Sequence, residues 1–309
     1  MNKLEHKVIA VVVTYNRKEF LLKVLKSLIE QTYQLQHILV IDNSSSDGTK
    51  EAVFSISDAK IEYMNTGGNL GGAGGFYEGF KLSENYTYDY LWLMDDDFQP
   101  SLNCLETMLK NDPKGIVQPI RYNLDGSCAE LSPLTYDIQK IFTLNPKGKS
   151  VKSYIQDQGD LSQPIKIEAI PFEGPLIHRD VVTLLGKPEP RFFIFCDDIE
   201  YAIKAKKAGV PIVCDPNAKA TRLLVNNQGN DMLSWKGYFM LRNLFYLHRK
   251  YGENVFVRNK PIVLALGYGV VSLLKGNWKQ IRVTYEAFFD SKELKNTEKH
   301  KPKPKKNPN

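Results

Sequence analysis

Three adjacent aspartates, Asp95, Asp96 and Asp97, follow directly on the apolar run YLWLM at residues 90–94. Neighbouring carboxylates repel one another, and a buried strand end tolerates three of them only beside a compensating cation. In extended chain the first and third side chains point to the same side. Asp95 and Asp97 are thus placed to hold one divalent ion, with a nucleotide diphosphate completing its shell. Oxygen ligands favour Mg²⁺ or Mn²⁺. The plainer reading is a solvated acidic turn, which sits poorly after a run that fixes the turn at a sheet's edge. A second acidic group, Asp197, Asp198 and Glu200 in FCDDIEY, follows the apolar run 192–195. Either aspartate there also suits the N-cap of the helix that follows. A third feature is the loop GGNLGGAGGFYEG at residues 67–79. So many glycines just before a helix suggest a helix N-terminus facing negative charge, the alternative being a simple flexible turn.

The elements that must position these residues are legible in the pattern. KVIAVVV (7–13) and ILVI (38–41) are β-branched runs of the kind buried on both faces of a sheet. Residues 61–64 and 90–94 give two further strands. Between them, 18–31 carries Phe20, Leu21, Val24, Leu25 and Leu28 at helical spacing, a short helix begins near Thr49, and another covers 74–83. Strand–helix alternation with short connections predicts right-handed crossovers and a parallel sheet, whose ligands bind beyond the carboxyl ends of the strands. Tyr15 to Arg17, Asp42 and Asn43, the glycine loop and the aspartate triplet all fall at those ends. Residues 115–170 read as less regular. A helix over 199–208 stops at Gly209 and Pro211, and a further helical stretch covers 233–251.

Taken in order, VVVTYNR (11–17), VIDNSSSDGT (40–49), LMDDD (93–97) and FCDDIEYAIKAKKAG (195–209) resemble the family-two glycosyltransferases of GT-A fold, over roughly residues 7–250. The glycine loop narrows the resemblance to the galactofuranosyltransferases that build bacterial cell-wall or capsular galactan, with polymer rhamnosyltransferases next. The resemblance implies an α/β fold: a Rossmann-like, mainly parallel sheet flanked by helices, with a helical C-terminal extension. It implies an inverting, metal-dependent sugar transfer from a nucleotide-sugar donor, UDP-linked by preference and dTDP-linked as the alternative. Thr14, Tyr15 and Arg17 would lie along the nucleotide, Arg17 offering its guanidinium to the diphosphate. Asp42 would accept hydrogen bonds from the base or ribose, and Asp96 belongs with the nucleotide-binding residues. Asn69, Gly71, Gly72 and the glycines up to Gly75 would let backbone approach the donor. By the same resemblance Asp198 is the base that deprotonates the acceptor hydroxyl, opposite the leaving diphosphate. Asp197, Glu200, Glu173 and Gly174 would meet the acceptor sugar, with Trp92 and Trp235 as stacking platforms or, equally, core residues. One departure stands out: where many relatives place a histidine ligand, after CDPNAKATR, this chain has Thr221. Metal binding would then rest on Asp95, Asp97, diphosphate and water, while His178 and His248 read as structural or exposed.

Length and composition fit this picture. The chain has 309 residues, 42% hydrophobic and 25% charged, enough for a sizeable core without disulfides or structural metal. Four scattered cysteines with no CxxC pair suit a reducing, cytoplasmic setting. The N-terminal apolar stretch is broken by Thr14 and Asn16 and gives no export signal. Net charge is +6, and the segment from Lys275 onward, with ten Lys or Arg and four Asp or Glu, carries all of it. The ending KHKPKPKKNPN reads as a disordered basic extension. With no basic stripe on the body, nucleic acid is not an expected partner. The expected organisation is a catalytic domain over 1–230, a helical region over 231–290 that associates with membrane or subunit, and a basic tail over 291–309. The apolar run 261–274 with its lysines would hold the enzyme at the inner membrane face, near a lipid-linked saccharide acceptor; a buried subdomain helix or a contact in a homo-oligomer is the alternative. Two competing classes are a nucleotidyltransferase, disfavoured because no basic triphosphate loop follows the first strand, and a non-catalytic sugar-binding module, which would have no need of Asp198.

Overall fold

The computed structural model describes residues 5–110, 113–143, 145–159, 161–224, 232–295 and 298–302. The chain forms two compact units. The first comprises Met1–Tyr136, Asn145–Pro190 and Asp197–Val225; the second comprises Asp137–Leu144, Arg191–Cys196 and Asn226–Asn309. The expected boundary near residue 230 lies outside the described residues. The two short segments 137–144 and 191–196 join the second unit, an excursion that no composition shift announces.

The first unit opens with β1 (Val8–Thr14), α1 (Lys18–Ile29), β2 (His37–Asp42), α2 (Thr49–Ser55), β3 (Ile61–Asn65), α3 (Gly71–Ser83) and β4 (Tyr90–Asp95). It continues through β5 (Phe98–Pro100), α4 (Cys104–Leu109), β6 (Ile116–Tyr122), α5 (Val151–Gln158), β7 (Ile165–Lys166), β8 (Leu176–His178), α6 (Arg179–Leu185), α7 (Asp197–Lys207) and β9 (Ile212–Arg222). All seven residues of β1 are buried, as a strand covered on both faces requires. The sheet order is β3-β2-β1-β4-β8-β6-β9-β5, with β7 added against β9. It is parallel through its first four strands. Beyond β4 it is mixed, because β8 runs antiparallel to both β4 and β6. Register sets the site: Thr14 lies opposite Asp42, and Val13 opposite Asp95, so three strand ends converge.

On one face of the sheet, α1 presents Leu21, Val24, Leu25 and Leu28 to a core that includes Val8, Ala10, Val12, Trp92 and Met94. The other face receives α3, which lies unusually close. A Cβ at Gly75 would stand 2.4 Å from Val13 Cγ1, and one at Gly79 would stand 2.3 Å from Val11 Cγ1. Helix α3 begins at Gly71, three residues earlier than the spacing predicts.

The second unit is helical: α8 (Lys236–Tyr251), α9 (Val255–Leu274) and α10 (Trp278–Asp290). Its core joins Phe193 to Tyr238, Phe239, Leu241, Phe245, Leu264 and Ala287. Two buried polar residues of α8 organise the excursion 191–196. Arg242 donates to the carbonyls of Arg191 and Phe192, both at 2.9 Å. Asn243 Nδ2 donates to those of Ile194 (2.7 Å) and Phe195 (2.8 Å). These bonds hold a segment in which Phe193, Phe195 and Cys196 all have positive φ, 65°, 63° and 70°. Non-glycine residues stay in that region only where their surroundings over-determine it. Part of the expected disordered tail is ordered. Ser291 and Leu294 are buried, His300 stacks on Tyr238 at 3.7 Å, and His300 and Lys299 both reach Glu286, at 2.8 Å and 2.7 Å. Residues 296–297 and 303–309 lie outside the described residues.

Candidate active site

The triplet is placed by β4 and the turn into β5. Asp96 is buried and acts as an internal tie: its carboxylate accepts from Thr14 Oγ1 (2.8 Å), Tyr15 N (3.3 Å) and Arg17 NH1 (3.0 Å). The Thr14 hydroxyl is buried and engaged by Asp96, so this pair shapes the β1–α1 turn. Arg17 is the member that reaches outward. Its side chain is 45% exposed, and its NH1 lies 3.0 Å from Asp96 and 3.9 Å from Asp97. It is anchored by carboxylates at one edge while the rest of the fork is open to a diphosphate.

Asp95 and Asp97 carry the unbalanced charge. Burial pushes both carboxyls up, Asp95 well above the ordinary range and Asp97 to about 6, and the negative neighbours of the cluster, Glu173 among them, add to the effect. Buried carboxylates crowded together in this way are the donor set a hard divalent cation relieves. Among the described residues, no group of three or more His, Cys, Asp or Glu is gathered for a metal. A pair of carboxylates is nonetheless sufficient for Mg²⁺ or Mn²⁺ when substrate phosphates supply the remaining ligands. Asp95 and Asp97 therefore fit the expected ion. Thr221 does not face them. It pairs with Gln99 across β5 and β9, while its neighbour Arg222, on the opposite face of the strand, ion-pairs with Glu173 at 3.0 Å. His178 caps α6, accepting from Asp180 N at 3.1 Å, and His248 sits within α8 against the Leu244 carbonyl at 2.8 Å.

At the end of β2, Asp42 accepts from Ser45 N (2.8 Å), Ser45 Oγ (2.6 Å) and Tyr63 Oη (2.6 Å). Three of its four lone-pair sites are engaged within the protein, leaving one for a base or ribose. Asn43 clamps the glycine loop, donating to the Gly71 carbonyl (3.1 Å) and accepting from Leu70 N (3.3 Å). Asn69, one residue before the N-cap Leu70, accepts from Gly71 N at 2.9 Å and so shapes the entry to α3. Gly71 and Gly72 begin the first turn of that helix; Gly71 is buried, and Gly72 has nothing within 4 Å of an added Cβ. Gly74 and Gly75 are another matter: their absent side chains are replaced by Leu70 and Val13, so they serve helix packing rather than ligand approach.

The acceptor-side residues divide as well. Leu93 N donates to the Pro175 carbonyl (3.0 Å) and Gly174 N to the Leu93 carbonyl (2.8 Å), which staples the loop 173–175 beside the triplet. Gly174 has φ 103° and lies against the Phe98 ring, a place no side chain fits. Trp92 is buried, with its indole N–H on the Gly174 carbonyl at 2.9 Å. No face of Trp92 is open to a sugar, and it is a core residue of the sheet. Trp235 is partly exposed and packs edge-on against Phe193 and Phe239. The Glu173 carboxylate is held by Arg121 and Arg222. Arg121 in turn makes a buried bidentate pair with Glu130, at 2.8 Å and 3.0 Å. Spacing alone did not single out Arg121, Glu130 or Tyr63, whereas Asn43 was placed with Asp42 at a strand end.

Asp197, Asp198 and Glu200 occupy the first turn of α7. Asp197 and Glu200 are buried and Asp198 is half-buried. The Asp198 carboxylate accepts from Ile199 N at 2.7 Å, and the Asp197 carboxylate takes backbone N–H groups of the same first turn, so both meet the helix N-terminus. Burial lifts its carboxyl to about 6; Glu173 pushes it further up, while Lys147 and Arg121 hold it down. Burial and the adjacent Asp198 push Asp197 well above the ordinary range. Glu173 thus acts electrostatically on Asp95, Asp97 and Asp198 alike, which places both carboxylate groups around one charge network.

A sheet whose strand ends gather an acidic pair and an outward arginine, with a second carboxylate group on the first turn of α7, has the arrangement of a nucleotide-sugar transferase of the GT-A kind. The fold is shared with solved structures, among them two that hold Mn²⁺. A mannosyltransferase from Pyrobaculum calidifontis, in complex with GDP-Man and Mn²⁺, matches with TM-score 0.57 and 17% identity over 94% of this chain and 76% of that one. GalNAc-T7 with UDP, GalNAc and Mn²⁺ matches with TM-score 0.61 and 16% identity over 94% and 57%. Residues 9–154 match the model of glycosyl transferase family 2. The galactofuranosyltransferase GlfT1 of Mycolicibacterium smegmatis is 31% identical over 209 residues, 66% of this chain and 67% of that protein. GlfT1 of Mycobacterium tuberculosis H37Rv is 29% identical over 211 residues, 66% of each. The chain belongs to glycosyl transferase family 2, and the match spans about two thirds of the galactofuranosyltransferases' length.

Proposed function

We propose that the protein is an inverting hexosyltransferase that moves galactofuranose from UDP-galactofuranose onto a lipid-linked or polysaccharide acceptor in cell-wall or capsule synthesis. The observation that supports this reading most is the shared electrostatic neighbourhood of Asp198 and the Asp95–Asp97 pair. Inverting transfer needs a base on one side of the anomeric carbon and charge neutralisation at the leaving diphosphate on the other. Asp95 and Asp97 would hold Mn²⁺ or Mg²⁺, which when bound neutralises the departing nucleoside diphosphate. Arg17 would pair with the same diphosphate from the β1–α1 turn, and the first turn of α3, open at Gly72, would let backbone approach the donor. Asp42 would orient the base or ribose with its remaining acceptor site. Asp198 would take the proton of the attacking hydroxyl; near 6, its carboxyl is ionised at neutral pH yet basic enough to accept that proton. Asp197, Glu200 and the Gly174 loop would border the acceptor, with Glu173 held by its two arginines as an electrostatic support. The work would take place at the cytoplasmic face of the membrane.

The test is turnover of a panel of UDP- and dTDP-sugars with Mn²⁺, Mg²⁺ or EDTA, with the Asp198→Asn variant alongside. Metal-dependent consumption of UDP-galactofuranose that Asp198→Asn abolishes is the expected result. Turnover of dTDP-rhamnose instead would keep the mechanism and change the sugar. Nucleotide binding without consumption of any donor would overturn the enzymatic reading.

A further inference from the structure

Helix α9 is 20 residues long and apolar enough to cross a membrane, and only 28% of its apolar window is buried. At 1.5 Å per residue it extends about 30 Å. Its two faces differ. Val257, Pro261, Leu264 and Ser272 are buried, and Leu264 belongs to the core of the second unit. Phe256, Val263, Leu266, Val270 and Leu274 recur at spacings of seven, three, four and four, which puts them on one stripe of a helix. All five are exposed, Leu266 at 66% and Leu274 at 82%. Helix α10 adds Trp278, 70% exposed, and Tyr285 one heptad later. An exposed apolar strip of this extent marks a contact with something apolar.

The charges around it say what. Between Glu253 and Glu286 the chain carries five Lys or Arg and no Asp or Glu, and one of the five, Arg282, pairs with Glu286 at 3.0 Å. Lys260 is turned inward, bonded to the Lys140 and Thr143 carbonyls. Lys275 and Lys279 are exposed at the turn between α9 and α10, beside Leu274 and Trp278. An apolar stripe flanked by exposed lysines and aromatic side chains suits the headgroup boundary of an anionic bilayer. Spanning is a poorer fit, since Arg258, Asn259, Lys260 and Pro261 interrupt the first half of the helix and one of its faces is packed on protein. We infer that the outward face of α9, with Trp278 and Tyr285 of α10, lies in the plane of an anionic lipid bilayer and docks the protein there. The inference needs nothing from the transferase reading and names the face that would bring such an enzyme to a lipid-linked acceptor.

Co-sedimentation of the full chain with phosphatidylcholine vesicles, with and without phosphatidylglycerol, tests it. Binding to the phosphatidylglycerol vesicles, weakened by salt and released by alkaline carbonate, is expected. Lys275→Gln with Lys279→Gln should weaken it about 30-fold, at about 1 kcal/mol for each lysine near the surface. Leu266→Ser with Val270→Ser should weaken it at least tenfold. All four side chains are exposed, so thermal unfolding and donor turnover with a soluble acceptor should match the parent. Absence of binding to anionic vesicles overturns the inference, as does binding that the Leu266 and Val270 changes leave intact. Resistance to carbonate would make α9 a spanning helix instead. A dimer in light scattering that the same pair of changes dissociates would assign the face to a second copy. Failure in vesicles with donor turnover preserved sinks this inference alone.

Discussion

Replacing Asp198 by asparagine keeps the side chain's size and its bond from Ile199 N while removing the charge and the basicity. A positioned general base contributes roughly 10²–10⁴-fold, so kcat should fall by at least 100-fold with the KM for donor nearly unchanged. The parent should carry a pH signature of the same group. Burial raises the Asp198 carboxyl to about 6, and a base works only when deprotonated. The kcat/KM for acceptor should therefore be flat above about pH 7 and fall with unit slope below 6, to about a tenth of the plateau at pH 5. Lys147 lowers this carboxyl's pKa by its positive charge. Lys147→Met should consequently move the acid limb to higher pH, while a residue with no link to the base would leave it in place. The assay is initial-rate transfer across pH 4.5–8, with Asp197→Asn as the control for mere loss of an α7 carboxylate. An Asp198→Asn enzyme with more than a tenth of parental kcat, or an acid limb near pH 4 that Lys147→Met does not move, would refute the assignment.

Asp97→Asn should abolish metal-dependent transfer yet stabilise the metal-free protein. The folded carboxyl titrates at about 6 against 3.8 in the unfolded chain, so its ionisation opposes folding and stability in EDTA falls as pH rises through that window. Removing the charge should raise unfolding free energy at pH 7 by about 1–3 kcal/mol, read by denaturant titration; an unchanged or lower value would contradict the crowding. Gly75→Ala and Gly79→Ala each force a methyl to within 2.4 Å or less of a β1 valine, and should cost about 1–3 kcal/mol by thermal melting, whereas Gly72→Ala has room and should leave stability within about 1 kcal/mol of the parent. Glu130→Gln leaves Arg121 buried with half its compensation, and a loss of about 3–5 kcal/mol is expected. A near-neutral melt would mean that the pair is not closed as the geometry has it.

Local chemistry carried much of this protein into view. The β-branched runs of β1 and β2, the helical spacing of Leu21, Val24, Leu25 and Leu28, and carboxylates at strand ends follow from period and burial. These are properties of consecutive residues, and they placed the parallel half of the sheet with Asp95 and Asp97 at its rim. Tertiary contact decided what each polar group is free to do. Thr14 and Asp96 are 82 positions apart in the chain, and their side chains close a hydrogen bond on one another. Trp92 looked like a stacking platform, but the antiparallel arrival of β8 and the Gly174 carbonyl enclose it. Glu173 meets Arg121 and Arg222 because β6, β9 and the loop before β8 are neighbours in the sheet, although they lie up to 101 positions apart in the chain. The same holds for the segment 191–196, whose positive φ angles stand because Arg242 and Asn243 hold its carbonyls. A sequence lists donors and acceptors one after another, and only the packed chain decides which of them satisfy each other and which are left to meet a ligand or a membrane.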